Sequence, residues 1–66
     1  MKMIFRRIVN GHREFISDDS KWCVEIGYFG NIVMAYKRID FCEYHKISID
    51  KLPESITKYH YGIKEM

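Results

Sequence analysis

The chain has 66 residues, 47% apolar, 30% charged and 15% aromatic, with a net charge of +2. That length allows one domain, and the composition is globular rather than disordered. No stretch approaches the roughly 20 apolar residues of a membrane-spanning helix, and the mild positive charge falls well short of the footprint of a dedicated nucleic-acid binder.

A core of this size supplies only roughly 3–5 kcal/mol of net stability, so abundant aromatics are expected in it. Lys2, Arg6 and Arg7 interrupt any leader-like apolar run, so no signal peptide is expected. Cys23 and Cys42 are too few for a disulfide scaffold, and the chain reads as cytoplasmic with two reduced thiols. Isoleucine, lysine and tyrosine are abundant and Ala35 is the sole alanine. Such usage suggests an AT-rich bacterial or phage genome.

The first predicted element is a hairpin, Met3–Val9 with His12–Ser17. Asn10-Gly11 between two β-rich runs suits a type I′ turn, which needs positive φ at both central residues. The implied pairs are Val9 with His12, Ile8 with Arg13, Arg7 with Glu14, Arg6 with Phe15 and Phe5 with Ile16. Neither face of this hairpin is cleanly polar.

Asp18, Asp19 and Ser20 form a turn cluster. A second hairpin follows, Trp22–Phe29 with Ile32–Ile39, closed by Gly30-Asn31 as a two-residue loop. This register pairs Phe29 with Ile32, Ile26 with Ala35 and Val24 with Lys37. One face then collects Trp22, Val24, Ile26, Tyr28, Val33, Ala35 and Ile39, the predicted core. The opposite face carries Cys23, Glu25, Phe29, Ile32, Met34, Tyr36 and Arg38.

Asp40 to Tyr44 reads as irregular, and Lys46–Ile49 as a short fifth strand. Pro53 marks a turn or a short 3₁₀ piece, because proline cannot sit in a central strand. Residues 54–64 fit two patterns. Alternation of Thr57, Tyr59, Tyr61 and Ile63 favours a strand. A stripe of Leu52, Ile56, Tyr59, Ile63 and Met66 makes the alternative a C-terminal helix packed on the sheet, with Gly62 as its cap. The fold class is mainly β: an antiparallel meander of two hairpins with one or two further strands, and with barrel-like closure as a variant. An α+β fold is the alternative.

No catalytic motif is present, and an enzyme is not expected. Cys42-x-x-His45 is half of a zinc pattern, and the second close pair of ligands is missing. No metal or cofactor is expected. Arg6, Arg7, Arg13, Lys21, Lys37 and Arg38, interleaved with Phe15, Trp22 and Tyr36, would suit single-stranded nucleic acid if they shared one surface. The apolar surplus of the second face points instead to a protein contact, since Tyr, Phe, Met and Arg are enriched in interface cores. The expected function is therefore a non-enzymatic binding module that regulates or inhibits a larger macromolecule. Its contact residues would be Phe29, Ile32, Met34, Tyr36 and Arg38, with Arg6 and Arg13 as steering charges. Single-stranded nucleic acid is the alternative partner, and self-association into a homodimer a further one.

Overall fold

The protein is seen in a computed structural model, which describes residues 1–62. Five antiparallel strands form one open sheet in the order β1-β2-β3-β4-β5. They are β1 Met3–Val9, β2 His12–Ser17, β3 Trp22–Ile26, β4 Ile32–Asp40 and β5 Glu43–Ile47. A 3₁₀ turn at Ile49–Lys51 and a single helical turn, α1 Glu54–Thr57, complete the described chain. The mainly β class is as the sequence predicts. The barrel-like variant is not adopted: the sheet keeps two edges, β1 and β5.

The first hairpin has the predicted turn, with Asn10 at φ 51° and Gly11 at φ 82°. Pairing runs as expected from Val9–His12 to Arg7–Glu14. It then slips by one residue, so that Phe5 faces Phe15 and Ile4 faces Ile16, not the predicted Arg6–Phe15 and Phe5–Ile16. Arg6 occupies a β-bulge, where two residues of one strand oppose one of the other.

The second hairpin departs further. β3 ends at Ile26, three residues short of the prediction. Gly27 donates to the Asn31 carbonyl at 2.7 Å, and Gly30 donates to the Gly27 carbonyl at 3.0 Å. The loop is thus Tyr28-Phe29-Gly30, a three-residue connection with Gly30 at φ 85° in the left-handed position such loops require. Phe29 and Ile32 are therefore not partners. Ile32 pairs with Ile26, Val33 falls in a second bulge, and Val24 pairs with Ala35 rather than Lys37. The slip beyond that bulge is two residues, an even number, so the alternation of β3 and of β4 from Met34 onward survives it.

The fifth strand begins earlier than predicted, at Glu43, because Phe41-Cys42 makes a tight turn out of the stretch that looked irregular. Residues 54–62 are neither the predicted strand nor a full helix. After α1 the chain runs without regular structure to Gly62. Ile63 and Met66 lie outside the described residues.

This tail decides where the core sits. Leu52, Ile56 and Tyr61 pack onto Met3, Val24, Ile26 and Ala35, with Phe15, Trp22, Ile32, Ile47 and Tyr59 around them. Three hydrogen bonds hold the end of the tail down. Arg13 donates to the Tyr61 and Gly62 carbonyls at 2.9 and 2.7 Å, and the Tyr61 hydroxyl donates to the Ile56 carbonyl at 2.9 Å. Of the predicted core, Val24, Ile26 and Ala35 are fully buried, and Trp22 and Val33 half-buried. Tyr28 and Ile39 are instead exposed, the first lifted into the loop, the second in a third irregularity of register, between Arg38 and Asp40 on β4.

Candidate functional site

Because the tail covers one face, the opposite face carries the molecule's unusual chemistry. Cross-strand pairing there places Arg7, Glu14, Glu25 and Met34 in one row, and Ile4, Ile16, Cys23, Tyr36 and Lys46 in the next. Glu14 and Glu25 stand directly opposite each other, at 7% and 6% exposure. Like charges so placed repel, and each carboxylate holds its own partner. Arg7 Nε donates to Glu14 at 3.0 Å. Glu25 lies 3.1 Å from His12 Nδ1 and accepts from the Tyr36 hydroxyl at 3.0 Å.

These residues floor an open depression of about 330 Å³, walled by Arg6, Arg7, Val9 and Tyr44. The bulge turns both adjacent arginines to this side; a regular strand would have sent one to each face. Tyr44 is fixed by donating to the Ser20 carbonyl at 2.7 Å. The Tyr36 phenol is pushed up in pKa, first by desolvation and then by its bond to Glu25.

Cys23 is buried between Ile16 and Tyr36, its partners on the neighbouring strands. Burial, followed by the nearby charge of Glu14, pushes its thiol up to about 12. That is the reverse of what a nucleophilic cysteine needs. Cys42 sits exposed at the β4–β5 turn, and both thiols are free. His45 is bound to Glu43 at 2.8 Å. Among the described residues no three potential ligands converge as a metal site would require. A maleimide added to the native protein at neutral pH is expected to label Cys42 rapidly and to leave Cys23 unmodified until denaturant is added. Mass spectrometry of peptides from the labelled protein reads the difference, and equal labelling would place Cys23 elsewhere.

The predicted contact residues do not share one surface. Met34, Tyr36 and Arg6 lie on the polar face, with Arg38 half-buried opposite Tyr44. Ile32 is turned to the core side by the Val33 bulge. Phe29 stands 77% exposed at the loop tip. Arg13 is engaged under the tail and stacks over Phe15 at 5.7 Å, so it is a structural cation. The Arg7–Glu14 neighbours of the first hairpin form an ion pair at 3.0 Å.

The surface that sequence reasoning missed is the edge strand. Ile4, Phe5 and Ile8 are 45%, 51% and 50% exposed on β1. Phe5 rests edge-on against Phe15 at 5.6 Å. The pattern of apolar residues on both faces of the first hairpin is the signal that could have found it.

Comparison with protein-family models, with curated proteins and with solved structures finds no match for this chain.

Proposed function

We propose that this chain is a non-enzymatic binding module that docks on a larger protein and regulates or inhibits it. One observation carries the reading: half-exposed apolar side chains on both faces of β1, Ile4 on the polar face and Phe5 and Ile8 on the other, in a strand that is an edge of the sheet among the described residues. A small domain with so little core to spare leaves such an edge open at a cost, because apolar edges invite unwanted pairing. A partner that covers it offsets that cost.

The arrangement of cations and aromatics favours protein over single-stranded nucleic acid. Base stacking needs accessible aromatic faces beside a basic track. Phe15 and Trp22 are packed against the core, and Lys37 lies over Trp22 at 5.3 Å. Arg13 is engaged within the fold, and Arg6 and Arg7 lie on the face opposite Lys37.

The test is capture from cells on the immobilised full chain, with and without nuclease. A single stoichiometric protein that survives nuclease, is lost with Ile4→Asp, and changes activity when the chain is added is the expected result. Far-UV spectra of the variant check that it still folds. Capture that vanishes with nuclease, or oligonucleotide binding whose affinity falls steeply with salt, would transfer the function to nucleic acid.

A further inference from the structure

The edge strand carries more than apolar side chains. From Met1 to Val9 the sequence holds Lys2, Arg6 and Arg7 and no carboxylate. Arg7 remains 68% exposed although it touches Glu14. Arg6 makes no ion pair among the described residues. The bulge aims Arg6 and Arg7 to the same face, beside Val9. An outward strand edge is thus combined with a two-cation step in its middle and apolar residues on either side of that step.

Resting on the docking role above, we propose that β1 accepts an extended segment of a partner protein as a sixth strand, and that this segment is apolar with acidic residues at its centre. Main-chain hydrogen bonds along a free edge supply affinity that is indifferent to sequence, and side chains flanking the edge set specificity. Here the flanking groups ask for aliphatic or aromatic side chains against Ile4, Phe5 and Ile8, and for carboxylates against Arg6 and Arg7. A second copy of this chain is a poor occupant. Arg6 is the midpoint of β1. A symmetric antiparallel pair would therefore set Arg6 against Arg6 and bring four guanidinium groups together, with no carboxylate on either strand. The bulge at Arg6 also interrupts the regular edge, a recognised guard against self-pairing. The same bulge concentrates the positive charge that selects an acidic strand.

A library of displayed random decapeptides, selected on the full chain at low salt, tests this directly. Enriched sequences are expected to alternate apolar with other residues, to carry central Asp or Glu, and to lack central proline. Amide shifts on adding an enriched peptide should map to Met3–Val9. Arg6→Glu, a change at an exposed bulge position, should weaken the acidic peptides by about tenfold or more while the fold is retained. It should also create binding of the same peptides with Lys in place of the acids. Enrichment without acidic residues, indifference to Arg6→Glu, or shifts confined to other elements would overturn the edge mode and leave the docking role standing. No enrichment at all, or a dimer in sedimentation that Ile4→Asp breaks, would also overturn it. The nuclease-resistant capture above would still report on the docking role independently.

Discussion

Replacing Ile26 by alanine is expected to unfold the domain at room temperature, whereas the same change at Ile39 should be almost silent. Ile26 is 1% exposed and lies between Arg13 and Ile32 across the sheet, under the tail. Ile39 is 58% exposed. Truncating a buried isoleucine costs about 2–5 kcal/mol, in part because the cavity left behind does not fully collapse. The whole domain has roughly 3–5 kcal/mol of net stability, so the loss is comparable with the total. Surface changes away from special contacts stay within about 0.5 kcal/mol. Both residues belong to the face that the sequence pattern marks as core, so the pair separates alternation from actual coverage. Thermal melts followed by circular dichroism give the answer. If Ile26→Ala melted within a few degrees of the parent, or Ile39→Ala collapsed, the tail would not lie where it does.

The contrast between those two isoleucines shows why some of the fold was legible and some was not. The first turn was legible because its chemistry is local: Asn10 and Gly11 both need positive φ, and few residue pairs tolerate that. Gly30-Asn31 was ambiguous, since a glycine there serves either a two-residue or a three-residue loop. The discriminating residue is Gly27. A Cβ at that position would meet Asn31 Oδ1 and Val33 Cγ1 at 3.0 Å, so those two side chains would have to give way by a few tenths of an ångström. A second glycine three positions upstream was the overlooked clue.

The rest was decided at long range. Arg13 reads as a surface cation until the carbonyls of Tyr61 and Gly62, 48 and 49 residues away, come down on it. That contact assigns one sheet face to the core and releases the other to hold Glu14 and Glu25. Nothing in the alternation of β2 and β3 says that two carboxylates will be buried side by side. Their burial follows from the partners that Arg7, His12 and Tyr36 supply across three strands. The edge was half legible. Neither face of the first hairpin is cleanly polar in the sequence, and only the order of strands shows that β1 is an edge of the sheet among the described residues.

Raising the pH is expected to unfold this domain well before its lysines and arginines would lead one to look for it, with the loss beginning just above pH 9. Two buried acids set that window, and the raised Tyr36 phenol acts in the same direction. Burial, then the Glu14 charge, moves Cys23 from its ordinary 9.0 up to about 12. Burial, then neighbouring Tyr59, moves Tyr61 from 10.0 up to about 12. Both groups are neutral when protonated, and the fold protects that neutral form. Below pH 9.0 each is protonated in the folded and the unfolded chain, and the associated stability is fully present. Between the unfolded and folded values the unfolded chain binds fewer protons than the folded one, so stability falls as pH rises. The slope is about 1.4 kcal/mol per pH unit for each group that has crossed its unfolded value, starting with Cys23 and steepening once Tyr61 joins. Against roughly 3–5 kcal/mol in total, the two together should unfold the domain before either folded value is reached. Urea titrations at stepped pH give the slope, and Cys23→Ala should delay its onset from near 9.0 to near 10.0, the ordinary value of the phenols Tyr36 and Tyr61. Tyrosinate absorbance should lag behind in the folded protein and appear in step with loss of the β signal. A stability that stays level through this window, or a Cys23→Ala variant with unchanged onset, would mean that these two side chains are open to water.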